Sequence, residues 1–163
     1  MEELQQLLGE KLSGVVEETF ENMAFISTEE VDAEQLPLDT EPLRKARLLV
    51  TAPIVIEIHL HMAEELLRQI VETMYTIDAE EITTEQILDV LTETLNTLGG
   101  CLMTQLLPSD QAFSLSLPEL VTEEFPLADE NIVLSAYYLA DELPLKVKIS
   151  AAATEELGAL LKH

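Results

Sequence analysis

Proline cannot continue a helix and disfavours helical geometry in the residue before it, so Pro108 closes the longest amphipathic run of this chain. The run begins after Thr83, which with Gln86 three residues on has the form of a capping box, and it reads as one helix from Thr84 to about Leu107. Ile87, Leu91, Leu95, Leu98 and Leu102 recur at spacings of three and four and form an apolar stripe that must face a core. A second stripe carries Asp89, Glu93, Asn96 and Gly100, which lie above one another on a different side. Two acids and an amide stacked beside the glycine pair Gly99–Gly100 is unusual mid-helix. Asparagine is a poor interior helix former, and each glycine costs about 1 kcal/mol relative to alanine.

The rest of the chain arranges itself around that helix. Residues 2–24 keep helical spacing through Leu4, Leu8, Leu12, Val15, Val16, Phe20 and Met23. A short strand is expected at 25–31, then a loop at 32–43 containing Pro37 and Pro42. Strands at 46–52 and 54–61, separated by Pro53, form a hairpin; in the second, Ile54, Ile56, Ile58 and Leu60 alternate with Val55, Glu57, His59 and His61. A helix follows at 62–75. Beyond Pro108 the pattern predicts a strand at 112–117 broken by Pro118, and an acidic loop through Pro126. A hairpin at 131–139 and 143–150 turns at 140–142, and a short helix occupies 154–161. Hairpins imply an antiparallel sheet, so the fold class is α+β with long helices packed on the sheet. Sliding the first helix by 75 positions sets Leu12, Val15, Val16, Phe20 and Met23 on Ile87, Val90, Leu91, Leu95 and Leu98. Two pseudo-repeated halves, each a helix plus strands, are one explanation; coincident amphipathic periodicity is the other.

A length of 163 residues suits a single domain over 1–163, its core at about 12–150. With 8 Lys+Arg against 32 Asp+Glu, the net charge is −24. Phosphates would be repelled, which argues against nucleic acid or an anionic membrane and favours a basic protein face as partner. Cys101 is the only cysteine, so no internal disulfide and no cysteine-based zinc site can form; it reads as a buried structural thiol. The N-terminus lacks a signal-peptide pattern and no apolar run is long enough to span a bilayer, which points to a cytoplasmic protein.

Asp89-x3-Glu93-x2-Asn96, with Pro118 a further 22 positions on, is the constellation best suited to chemistry. It resembles the signature of the CheC/CheX/FliY family of chemotaxis phosphatases, and the CheX branch most, because only the second half carries the Glu/Asn pair; Glu21 stands where the first half would have asparagine. The resemblance covers roughly residues 12–150. It implies a CheC-like fold and a phosphatase that hydrolyses the aspartyl phosphate of a CheY-like response regulator. In that scheme Asn96 positions the water and Glu93 anchors the regulator's active-site lysine, while Asp89, Gly99 and Gly100 contribute to partner binding. No cofactor of its own is needed, since Mg²⁺ comes with the phosphorylated regulator, and a homodimer is implied for this branch. A non-catalytic adaptor using the same helix side is the alternative. A third candidate is Glu57-x-His59-x-His61 on one side of a strand, the donor set of a small metal-dependent hydrolase; a solvent- or interface-facing strand side accounts for it more simply, and no metal site is assigned.

Overall fold

A computed structural model describes residues 1–36, 42–121 and 131–161. The elements follow in the order α1 (Glu2–Ala24), β1 (Thr28–Val31), β2 (Leu43–Ala52), β3 (Ile56–Ala63), α2 (Glu64–Tyr75), α3 (Thr84–Leu106), β4 (Ser114–Leu115), β5 (Glu119–Leu120), β6 (Ile132–Ala140), β7 (Leu143–Ser150) and α4 (Thr154–Leu161). Two single turns of tighter helix, Ala33–Gln35 and Ala79–Glu81, sit in the connections. Of the acidic loop expected after Pro118, Glu119 and Leu120 form β5, and the part from 122 through Pro126, like Pro37 and His163, falls outside the described residues.

All strand pairings are antiparallel, and the sheet runs β1-β6-β7-β3-β2-β4, with β5 also on the outer edge of β2. The fold is therefore the α+β, antiparallel-sheet architecture that the hairpin pattern predicts. The order is palindromic by halves. The hairpin β2–β3 of the first half answers β6–β7 of the second, and each half lends its short strand to the edge of the other's hairpin. The 75-residue offset matches too: Leu12, Val15, Val16, Thr19, Phe20 and Ala24 of α1 are buried, as are Ile87, Val90, Leu91, Thr94, Leu95 and Gly99 of α3.

One sheet side carries the core. Ala46, Leu48 and Val50 of β2, Ile58, Leu60 and Met62 of β3, Leu145, Val147 and Ile149 of β7 and Tyr138 of β6 are all buried, and α1, α2 and α3 pack on this sheet. Tyr138 reaches α1, its hydroxyl 3.1 Å from Ser13 Oγ. Its neighbour Tyr137 faces the other way and lies under Lys146, whose Nζ is 5.3 Å from the ring centre, as alternation along a strand requires.

Several boundaries differ from the sequence expectation. Strand β2 starts at Leu43, because Leu43, Arg44 and Lys45 extend the ladder opposite Ala63, Met62 and His61. For the same reason β3 runs on to Ala63, and α2 begins at Glu64, which Arg44 Nη2 holds at 2.8 Å. The strand expected at 112–117 is only Ser114–Leu115, with Glu119–Leu120 beyond Pro118. The β6–β7 turn places Asp141 and Glu142 at φ 50° and 68°, the left-handed pair that a two-residue hairpin loop demands.

Candidate functional site

The capping box foreseen at the start of α3 is present: Thr83 Oγ1 accepts from Gln86 N at 3.1 Å, and Thr83 N donates to Gln86 Oε1 at 2.9 Å. From this anchored end the helix runs to Leu106 without a break, carried over its polar stretch by threonines. Thr92 Oγ1 donates to the carbonyls of Leu88 (3.2 Å) and Asp89 (3.1 Å), and buried Thr94 Oγ1 donates to the Val90 carbonyl at 2.6 Å and lies 3.7 Å from Met23 Sδ of α1. Thr94 therefore faces α1 while its neighbour Glu93 faces out.

Asp89, Glu93 and Asn96 are all exposed on one side of α3, and their side chains form no hydrogen bond or ion pair with any described residue. The helix thus displays a carboxylate and a primary amide one turn apart, both with their full bonding capacity.

The two glycines next to them differ in role. Gly99 is buried, and a Cβ there would overlap Leu48 Cδ2 of β2, with Ile58 Cδ1 of β3 at 3.9 Å. Its missing side chain lets α3 lie against the sheet, the close approach to a neighbouring element that a glycine permits. Gly100 is half-buried on the same stripe as Asn96, and a Cβ there would meet only Leu115 Cδ1 of β4, at 4.0 Å. That contact shows where the polar stripe lies: it runs along the side of α3 that borders the β4–β5 edge, and β5 itself packs on α3.

This edge is held firmly. Ser116 N donates to the Leu49 carbonyl at 2.8 Å, and Ser116 Oγ accepts from Leu49 N at 3.0 Å, so a side chain completes the ladder where the strand stops. Further on, Arg47 Nη2 pairs with Glu119 at 2.9 Å. Between the two ties Leu117 projects outward, 85% exposed, directly before Pro118. Sequence reasoning passed over Leu117. Its one signal was the break that Pro118 imposes on an alternating stretch.

Glu57, His59 and His61 do share one side of β3, the side away from the core. Neither histidine is solvent-facing, however, because β3 lies in the middle of the sheet: Arg47 and Lys148 stand opposite His59, Lys45 and Lys146 opposite His61, and both rings are buried. Burial, then the charges of Lys45, Lys146 and Lys148 and His59, pushes the His61 imidazole down to about 3. Glu57 Oε1 lies 3.0 Å from His59 Nε2 without hydrogen-bond alignment, and both His59 nitrogens and His61 Nε2 lack a hydrogen-bond partner among the described residues. Four basic side chains beside the two rings oppose a bound cation, and no three His, Cys, Asp or Glu are grouped to hold a metal among the described residues. Cys101 is half-buried rather than fully buried, and it packs against the core.

Comparison with known proteins agrees with this fold. No curated protein matches the sequence. Among solved structures, the chemotaxis protein CheX from Vibrio vulnificus is similar at a TM-score of 0.68 and 14% identity, covering 88% of this chain and 95% of that one. FliY from Thermotoga maritima aligns at 0.64 and 16% identity, covering 99% and 96%. A complex of CheX with CheY, BeF3 and Mg²⁺ from Borrelia burgdorferi aligns at 0.60 and 14% identity, covering 86% and 95%. At such identities these likenesses establish the fold. Among the described residues no helix is long and apolar enough to cross a membrane. The family model described as chemotaxis phosphatase CheX matches residues 46–130, just over half the chain and the whole of α3, and the chain belongs to that family.

Proposed function

We propose that this chain hydrolyses the aspartyl phosphate of a CheY-like response regulator docked on the exposed side of α3. The carrying observation is that Glu93 and Asn96 stand exposed together, one turn apart, with neither side chain engaged by a described residue. Membership of a phosphatase family and the Borrelia relative's complex with CheY support the same reading.

Phosphoryl hydrolysis asks a protein for positioning and charge stabilisation more than for covalent chemistry. The Asn96 amide accepts one proton of a water and leaves the water oxygen in line with phosphorus. That oxygen bonds to phosphorus as the bond to the aspartyl oxygen breaks; the carboxylate is regenerated and the water's proton leaves with the phosphate. Glu93 pairs with the regulator's active-site lysine and fixes the docking register. Asp89, a further turn away, and the half-buried Gly100 complete the contact. Mg²⁺ belongs to the regulator in this scheme, and the chain supplies no metal ligand. The reaction takes place in the cytoplasm, where the regulator works, and the enzyme acts as a homodimer.

The test mixes the protein with a phosphorylated CheY-like regulator and Mg²⁺ and follows loss of phosphate. Wild type accelerates the loss. Asn96→Ala lowers the accelerated rate about 100-fold, the size expected when the reacting water is misplaced, while Glu93→Gln raises the regulator concentration needed for half-maximal rate. Binding without acceleration would make the chain an adaptor and end the phosphatase reading. Full activity in Asn96→Ala would remove the water-positioning role. Light scattering at a monomer's mass would remove the dimer.

A further inference from the structure

We infer that Leu117, supported by Leu120, is an apolar anchor that seats the response regulator beside the Glu93–Asn96 pair; this rests on the phosphatase reading above.

A single exposed leucine is ordinary on a protein surface. The setting of this one is not. Leu117 is 85% exposed, Leu120 is 40% exposed, and both lie on the short segment that edges β2 next to α3. The segment is pinned on both sides of Leu117, by Ser116 to the backbone of Leu49 and by Glu119 to Arg47, and Pro118 fixes one backbone angle immediately after it. An apolar side chain presented by a rigid segment loses little freedom when a partner covers it, which is what lets a small contact contribute to affinity.

Position selects the occupant. Gly100 of the Asp89–Glu93–Asn96 stripe faces Leu115 of the same edge, and β5 also packs on α3, so the segment that carries Leu117 runs alongside that stripe. Carboxylates of α3, Asp89 and Glu93, rim the other border of this surface, whereas Glu119 is drawn to Arg47 on the sheet side away from the core. Such a rim with an apolar centre fits a partner that offers a basic group next to an apolar patch, as a receiver domain with a lysine at its phosphorylation site does. The same rim repels a second copy of a chain whose net charge is −24.

The experiment measures dephosphorylation of a CheY-like regulator over a range of regulator concentrations, alongside affinity for the regulator activated with beryllium fluoride and Mg²⁺. Leu117→Ala is expected to raise KM and Kd about tenfold, the range of a modest interface anchor, and Leu117→Ala/Leu120→Ala to raise them further. Val55→Ala, at an exposed apolar residue on the β2–β3 turn, leaves both constants unchanged and controls for general loss of surface hydrophobicity. The signature is a change in KM, whereas Asn96→Ala loses kcat. If wild type is active and Asn96→Ala is not, yet Leu117→Ala binds as wild type does, the anchor is refuted and the phosphatase reading stands. If wild type neither binds nor hydrolyses, both fall. If Leu117→Ala instead turns a dimer into a monomer, the ridge belongs to self-association and the inference is wrong.

Discussion

Alanine at position 99 and alanine at position 100 should move stability in opposite directions, although the two glycines are neighbours in one helix. Either substitution removes the entropic penalty of a mid-helix glycine, a gain of about 1 kcal/mol. At Gly100 the new methyl meets only Leu115 Cδ1 at 4.0 Å, ordinary van der Waals contact, so Gly100→Ala should keep most of the gain, about 0.5–1 kcal/mol. At Gly99 the methyl would overlap Leu48 Cδ2. Leu48 is 1% exposed and shares its pocket with Ile58, so it can yield only by leaving its rotamer in a closely packed core. Forcing an extra carbon into such a site costs about 1–3 kcal/mol. The net for Gly99→Ala is a loss of about 1 kcal/mol, and the two variants should differ by about 2 kcal/mol. For a chain of this size that is roughly 4–8 °C in Tm.

Urea unfolding at neutral pH measures the difference, and a third variant tests its cause. Leu48→Ala alone should cost about 2–5 kcal/mol by leaving a cavity. In that background Gly99→Ala has room and should become stabilising, so the pair should couple by about 1–3 kcal/mol. A Gly99→Ala protein more stable than wild type would refute the close approach of α3 to β2. Gly99→Ala remaining destabilising without the Leu48 side chain would show that the obstacle lies elsewhere.

Two further outcomes follow from the site helix and its surroundings. Thr83→Ala removes the acceptor for Gln86 N and should cost about 1 kcal/mol in thermal or urea unfolding, while Thr83→Ser should retain most of it. His61 titrates at about 3 in the folded chain against 6.5 in the unfolded one, so between those values the unfolded chain binds a proton that the folded chain does not. Its contribution to stability is full above pH 6.5 and falls as the pH drops toward 3, by at most about 1.4 kcal/mol per unit. Urea unfolding at pH 7 and pH 5 should therefore show a shallower loss for His61→Gln than for wild type, and equal slopes would refute a neutral buried imidazole.

Periodicity found the long helices and both hairpins, because each element buries one stripe or one side and leaves the other wet. The start of α3 was legible to the residue, since a capping box is a local interaction between Thr83 and Gln86. What escaped was decided between distant residues. Strand β2 extends to Leu43 only because β3 is there to pair with it. The edge after α3 breaks at Ser116 because a hydroxyl takes over a backbone hydrogen bond to Leu49, which no alternation of side chains reveals. His59 and His61 sit on the side of β3 that reads as polar, yet the central place of β3 in the sheet buries them. At the site, the exposure of Asp89, Glu93 and Asn96 was legible from the helical repeat; the separate duties of Gly99 and Gly100 were not, for adjacent helix residues point 100° apart and only the sheet's position decides which is covered.

The duplication sharpens what the proposed site requires. At the 75-residue offset six buried positions of α1 fall on six buried positions of α3, so packing imposes the same demands on both helices. The exposed positions are where they part. Glu18 stands at the place of Glu93, but Glu21 takes the place of Asn96, and a carboxylate offers no N–H to a phosphoryl oxygen or a water. The flanking edges part as well. Beside α1 lies β1, with Glu29 and Glu30, the latter 3.1 Å from Ser13 Oγ of α1; beside α3 lies the segment with Leu115, Leu117 and Leu120. A phosphorylated aspartate is itself anionic, and a glutamate in the place of the amide would repel it where Asn96 would not. Amide and apolar edge thus occur together, on one half, although nothing in the shared core ties them to each other. That pairing is what selection for one docking surface per chain would leave, and what a merely solvated helix side would have no cause to keep.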